Sequence, residues 1–278
     1  MKRIFIIVMT LAACLLYVNA WAEEEQPVEV LDKSIDKYMI YGGLMYYDVD
    51  GTFSSTKKGR RKVELDMDDL GLDQTEWAFT FGAKINITKR LILNLDYFGY
   101  HQDATKKAEF AFNYDDAVID AGARVDSNLD MDVYVVNLGY ALVHTDRIRF
   151  GIGLGAHVAD LSLKISGKVR VNGEEIDLGE GNEQVLAPAP DVYAFGAVAL
   201  TDRLALRFSG GWMSLSYQDF SGSLTFANAL LEYWPFKHVG IGGGYRYLHA
   251  DIEYETDDKK EEYDITFPGP IVYLIVGF

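Results

Sequence analysis

The chain has 278 residues, with 26 Lys and Arg against 42 Asp and Glu, a formal net charge of −16. That acid surplus excludes a nucleic-acid partner, which would need cations along the phosphate backbone. The single cysteine, Cys14, excludes a disulfide scaffold or a multi-thiolate metal site.

Lys2 and Arg3 precede an apolar run, Ile4 to Val18, followed by Ala20-Trp21-Ala22. A basic start, an apolar middle and an A-x-A end predict a secretory signal peptide over residues 1–22, cut after Ala22. The run is too short and wrongly flanked for a spanning helix. Leu11-Ala12-Ala13-Cys14 also fits a lipoprotein cleavage box, but the apolar stretch before Cys14 is short and another follows it. A cut after Ala22 removes the only cysteine and leaves 24 basic against 42 acidic residues, a net charge of −18. Residues 23–36 are acidic and lack alternation, and are expected to form a periplasmic tail.

From residue 37 the pattern has a period of two. No stretch has eighteen continuous apolar residues, so spanning helices are not expected. Met39, Tyr41, Gly43, Met45, Tyr47 and Val49 share one face. Trp77, Phe79, Phe81, Ala83, Ile85 and Ile87 share another, and Leu91, Leu93, Leu95 and Tyr97 a third. The opposite faces are small or charged. Ten strands are predicted, centred near residues 45, 82, 96, 137, 154, 194, 209, 228, 245 and 272. Near 137 and 228 the alternation changes phase, as a bulge would cause.

The connections alternate in length. Tight polar turns fall at Thr88-Lys89-Arg90, Thr145-Asp146-Arg147, Thr201-Asp202-Arg203 and Pro235 to His238. Between them lie polar connections at 54–76, 102–128, 166–182, 218–221 and 256–262, all but 218–221 longer, with Asn172-Gly173 as a hairpin tip. Amphipathic strands with large apolar faces, short turns on one side and long loops on the other suit an antiparallel up-and-down barrel whose apolar face meets lipid. Closure pairs every backbone group, which hydrocarbon demands.

The chain ends "FPGPIVYLIVGF", with Val272, Leu274, Val276 and the terminal Phe278 on one face. This ending resembles the C-terminal strand signal of Gram-negative outer-membrane β-barrel proteins, and the whole pattern is similar to their small, eight- to ten-stranded class. The resemblance implies an outer-membrane location for residues 37–278, closure of the last strand against the first, and presentation of that strand to the barrel assembly machinery. Lipid and lipopolysaccharide are the implied surroundings. So few strands exclude a wide aqueous porin.

Six charged residues are expected to point inward: Lys84, Asp96, Arg149, Arg207, Glu232 and Arg246. Arg207 should lie directly across from Glu232, and Lys84 should reach Asp96. They form either a rigidifying polar plug or a constriction that filters solutes. Gly151, Gly153, Gly155, Gly240, Gly242 and Gly244 share inward faces and leave room there.

His101, His157 and His249 sit near the outer rim, with Asp103, Asp160 and Asp251 close behind. The resemblance gives them a precedent, because ten-stranded outer-membrane proteases place acids and a histidine at that rim. Parity argues otherwise: His101 and His249 should point outward and His157 inward, so they cannot meet on one metal ion. Catalytic residues, metal and cofactor are therefore not expected. Lys57, Lys58, Arg60, Arg61 and Lys62 could meet lipopolysaccharide phosphates. Glu64, Asp66, Asp68, Asp69 and Asp73 lack the spacing of an EF-hand loop. Trp212, Tyr217, Tyr233, Trp234, Phe236, Tyr245 and Tyr247 suit interfacial aromatic belts. The functional expectation is a non-enzymatic barrel with a structural or surface-interaction role. A narrow channel for small or hydrophobic solutes and a rim enzyme acting on peptides or lipid are the alternatives.

Overall fold

The computed structural model describes residues 37–57, 63–72, 75–114, 117–171, 174–217, 219–256 and 259–278. The predicted signal peptide, the acidic tail, Asn172-Gly173, Asp73 and the basic run after Lys57 lie outside them. The chain begins with β1 (Tyr38–Asp48), β2 (Asp50–Lys57), β3 (Val63–Asp66), β4 (Thr75–Asn86) and β5 (Leu91–Lys107). A short hairpin follows, β6 (Phe112–Tyr114) and β7 (Ala117–Ile119), then the long strands β8 (Arg124–His144), β9 (Ile148–Val171) and β10 (Glu174–Ala199). The last four are β11 (Leu204–Tyr217), β12 (Phe220–Tyr233), β13 (Val239–Glu255) and β14 (Lys259–Gly277).

Ten of these strands close a ring of antiparallel neighbours, in the order β1, β4, β5, β8, β9, β10, β11, β12, β13, β14 and back to β1. Closure pairs Met39 with Gly277 and Met45 with Ile271, so the apolar C-terminal segment seals the wall. Each predicted strand centre falls in one of the ten strands.

Three of the four tight turns share one device. Thr88 Oγ1 accepts from the backbone N–H of Leu91 at 2.9 Å, Thr145 Oγ1 from Ile148 at 3.0 Å and Thr201 Oγ1 from Leu204 at 3.1 Å. The hydroxyl replaces a missing ladder partner three residues on, which is why Thr-x-Arg recurs at this end.

A strand needs about 9–11 residues to cross a bilayer, yet β8, β9 and β10 have 21, 24 and 26. The excess is the segments expected to be long polar loops. They are strands instead, and they rise beyond the membrane as continuations of the wall. There the ring parts along two seams. Pairing of β10 with β11 ends at Val192 and Trp212, and pairing of β4 with β5 ends at Thr80 and Phe98. Above the seams β5, β8, β9 and β10 form one sheet, and β11 to β14 with β2 and β3 form the other. Beside Pro268 and Pro270, which have no N–H to donate, β14 passes from pairing with β1 to pairing with β2.

The two sheets pack face to face as a sandwich. One contributes Tyr100, Leu129, Val133, Leu161 and Leu163; the other contributes Phe53, Leu65, Tyr263, Ile265 and Phe267, all in one buried cluster. Met67, Leu70 and Leu72, on the turn after β3, are also buried. The expectation of a hydrophilic axis therefore fails in the extramembrane half, whose interior is dry and apolar.

Below the seams the expected arrangement holds. Phe81, Tyr134, Val136, Leu138, Tyr140, Ile152, Trp212, Tyr245 and Val272 are exposed on the outside, and Leu154 reaches 67%. A contiguous apolar girdle of this kind faces hydrocarbon, not water.

Two face assignments are corrected. In β1, Met39, Met45 and Tyr47 are buried inside, as is Val49 just after it, and the outward residues include Tyr38 and Ile40. Both faces of β1 are apolar, so alternation cannot tell them apart. Trp234 does not join a belt: it is fully buried at the turn end, its backbone N–H donating to Arg203 O at 2.8 Å and its ring beside Gly240. The side chain of Tyr217 lies outside the described residues.

Candidate functional site: the charged lumen

All six residues expected to point inward line one cavity of about 210 Å³ within the membrane-spanning part of the barrel. The strands carry them there by parity, and small residues on neighbouring strands leave the space. Arg149 and Arg207 both pair in register with Ala197. Two guanidinium side chains therefore enter the lumen on either side of a methyl group, two strand spacings apart.

The predicted register of Arg207 is corrected by two residues. It pairs with Leu230, while Ala205 pairs with Glu232, because only Gln218 and Asp219 separate β11 from β12. The long side chain spans the diagonal, and Arg207 Nε donates to Glu232 Oε2 at 2.5 Å. Tyr273 Oη donates to Glu232 Oε1 at 3.0 Å. Both carboxylate oxygens are thus engaged. Lys84 does not pair with Asp96. Asp96 instead faces Arg246 Nη2 at 3.4 Å, and the same Nη2 donates to Tyr41 Oη at 3.2 Å. Arg149 Nε donates to His144 Nδ1 at 3.3 Å.

The roof of the cavity is aromatic. Tyr47, Phe98 and Phe267 line it, and Tyr100 packs edge-on against Tyr47 at 6.3 Å. His157 also reaches the lumen, as its parity predicts. Its partner is Asp191, not Asp160: Nδ1 lies 2.9 Å from Asp191 Oδ2, and the two side chains are only 6% and 0% exposed. The imidazole packs on the Phe226 ring with centroids 4.9 Å apart. Asp191 escaped sequence reasoning; it stands at the first position beyond the β10–β11 pairing. Its inward parity with Tyr193 was the available signal.

The other two rim histidines point outward, again as parity predicts. His101 is exposed and lies 3.5 Å from Asp132, not beside Asp103. His249 lies 3.2 Å from Asp251 and 3.6 Å from Asp264. The ligand atoms of these three fall within 4.8 Å of one another, the one such His–acid group among the described residues. Asp66 and Asp69 accept each other's backbone N–H at 2.7 and 3.2 Å, so these two acids close the turn after β3.

No family model and no curated protein matches the chain. Among solved structures it is similar to the outer membrane protease OmpT from Escherichia coli, with a TM-score of 0.53 and 8% identity over 86% of this chain and 97% of that one. A Pseudomonas aeruginosa FadL homologue scores 0.39 at 10% identity, covering 87% of this chain and 90% of that one. The outer membrane protein OprG from Pseudomonas aeruginosa scores 0.37 at 9%, covering 85% and 94%. The likeness to the protease structure is one of fold alone. A closed antiparallel barrel with an apolar outer girdle is an integral β-barrel of the bacterial outer membrane.

Proposed function

We propose that this protein is a non-enzymatic outer-membrane barrel with an occluded lumen, whose working surface is the outside of the extramembrane sandwich. The observation that carries this reading is the apolar cluster directly above the charged cavity, where Tyr47, Tyr100 and Phe267 are no more than 2% exposed. A conducting pore needs a continuous wetted path, and rings packed at this density exclude water. The sandwich is built like a soluble domain, with a dry core and an outer face of hydroxyl and acidic side chains such as Ser214, Ser223, Asp251 and Glu262. Loops and rims held by a rigid scaffold are where binding residues concentrate. Contact with lipopolysaccharide through the basic run after Lys57, and engagement of the assembly machinery by the C-terminal strand, belong to the same reading.

A peptidase reading finds no support in the buried His157–Asp191 pair, which lies beneath the apolar core where no peptide reaches. Purified barrel inserted into planar bilayers should give no single-channel steps. Reproducible steps from the wild-type protein would refute occlusion. Asp191→Asn should leave cell-surface proteolysis unchanged, and its loss in that variant would revive the enzyme.

A further inference from the structure

The outer face of the sheet formed by β11 to β14 carries two acidic rows of one design and unequal outcome. Asp251 on β13 stands directly across from Asp264 on β14, and two residues further up Glu253 stands across from Glu262. Like charges facing each other on adjacent strands destabilise a sheet. The glutamate row has its own cation: Lys260 Nζ lies 2.9 Å from Glu253 Oε1 and 3.1 Å from Glu262 Oε1. The aspartate row has none. Among the described residues neither Asp251 nor Asp264 has a Lys or Arg within salt-bridge distance. The ring that touches both is His249, with Nε2 3.2 Å from Asp251 Oδ2 and Nδ1 3.6 Å from Asp264 Oδ1. Neighbours in register hold the group in place. Ser223 donates its hydroxyl to Asp251 Oδ2 at 3.0 Å, and Thr266 Oγ1 lies 3.0 Å from His249 Nδ1.

We propose that His249, Asp251 and Asp264 form a binding site for a divalent transition-metal ion of the zinc class. Parity excludes a site of three histidines, but it favours this one, because its three residues share the outward face of one sheet. An imidazole with two carboxylates suits zinc and its neighbours, whereas calcium and magnesium take oxygen ligands. Zinc holds nitrogen and oxygen donors at about 2.0–2.2 Å, which sets adjacent donors about 3–3.5 Å apart. The 3.2 Å between Nε2 and Asp251 Oδ2 already has that value. All three ligand atoms lie within 4.8 Å of one another, and the Asp264 side chain, 58% exposed, closes the remainder by rotation. The Thr266 contact takes Nδ1 and leaves Nε2 to the metal, the way a ligating imidazole is fixed by its second nitrogen. His249 is joined in register through Thr225 to Trp212, so the ion sits level with the outer edge of the girdle. The competing arrangement is a protonated His249 that bridges the two carboxylates without metal. The proposal gives the working surface described above a ligand, and rests on that reading for its role; metal retention is measured apart from conductance, so its failure leaves that reading standing.

The mature barrel, carrying no polyhistidine tag, is refolded into detergent, stripped with EDTA and brought to equilibrium by dialysis against zinc chloride, alone or with calcium or magnesium chloride in about a hundredfold excess. Wild type should hold about one zinc ion per barrel, and neither competitor should displace it. His249→Gln and Asp264→Asn should each weaken zinc retention at least about tenfold, while Glu262→Gln, in the row that Lys260 bridges, should retain zinc as wild type does. The compact gel band shows that each variant is folded, and Asp251→Asn replaces a site variant that does not give it. Zinc retained equally by the site variants, zinc displaced by calcium, or a loss in Glu262→Gln as large as in the site variants would overturn the proposal. So would a wild-type barrel that holds no zinc, the result expected of a protonated His249 bridge.

Discussion

Glu232→Gln is the sharpest probe of the lumen, because it deletes one charge and almost no volume. Wild-type Glu232 is 5% exposed at its side chain and accepts from Arg207 and Tyr273. Glutamine can still accept one of these bonds through its carbonyl oxygen. What it cannot do is neutralise Arg207, which is 15% exposed and shares the cavity with Lys84 and Arg149. Removing one partner of a buried ion pair costs about 3–5 kcal/mol. The retained hydrogen bond places this variant near the lower end, about 3 kcal/mol, roughly a hundredfold or more in the folding equilibrium. The double variant Arg207→Met/Glu232→Leu removes both charges and should lie within about 1 kcal/mol of wild type, since a buried pair exchanged for apolar side chains is often neutral. The assay is equilibrium urea unfolding in chloride, followed by tryptophan fluorescence and gel mobility, with the singles and the double forming a cycle. A Glu232→Gln cost below about 0.5 kcal/mol, or a double variant as unstable as the sum of its singles, would show that the pair is solvated and that the lumen is not the low-dielectric site described above.

Trp234→Ala should destabilise the barrel by about 3–5 kcal/mol by opening a cavity beneath the lumen, measured in the same urea titration; a cost under 1 kcal/mol would mean that the ring does not pack inside. Leu138→Arg, on the outward face of β8 between Tyr134 and Leu142, should cost about 2–4 kcal/mol in lipid vesicles, and a neutral result there would displace the membrane from this girdle. Asp126, in the extramembrane part of β8, accepts from Thr105 Oγ1 at 2.7 Å and from Arg124 Nε at 2.9 Å, contacts that hold its carboxyl below the usual carboxylate range. Its stabilisation is therefore present above the unfolded carboxyl pKa, about 3.9, and is lost as pH falls through the lower folded value. Asp126→Asn should cost up to about 1 kcal/mol at pH 7, discounted for partial exposure, and converge with wild type below about pH 3. Curves that stay parallel through that window would contradict the assignment.

The ring of ten strands, its tight turns and its closing strand were legible because each rests on local chemistry: alternation, a threonine that bonds three residues ahead, a terminal apolar strand. The inward set of charges was legible for the same reason, since parity alone decides which side of a wall a residue occupies. Partners were not. Arg207 meets Glu232 along a diagonal because Phe220 and Ser221, expected in the connection, belong to β12; the two-residue turn is centred one residue earlier, which shifts the register by two. Asp96 meets Arg246, not Lys84, because curvature brings β13 across the lumen from β5. Distances across a barrel depend on stagger, which no single strand encodes. The face of β1 was misassigned because Met39, Tyr41 and Met45 face inward while Tyr38, Ile40 and Leu44 face outward, leaving no polar side to orient it.

The phase change near residue 137 carries more than a bulge. A register shift does occur in the β8–β9 ladder, between Ala141 and Val143. It cannot explain the pattern above it, where pairing runs without interruption. From Tyr134 to Leu142 the even-numbered side chains Tyr134, Val136, Leu138, Tyr140 and Leu142 are apolar and exposed. From Val125 to Val135 the odd-numbered Val125, Leu129, Met131, Val133 and Val135 are apolar and buried, and Asp126, Asn128, Asp130 and Asp132 face outward. Strand parity does not change across this boundary; the location of the apolar surroundings does. Below it hydrocarbon lies outside the wall, and above it the opposing sheet lies inside. β5 repeats the switch between Leu95, outside, and Phe98 and Tyr100, inside. An uninterrupted strand whose apolar residues change parity without a bulge therefore marks the membrane surface. The charged residues lie below it, reaching down toward the tight turns, because there the outer face claims the apolar positions, leaving the lumen to the polar ones.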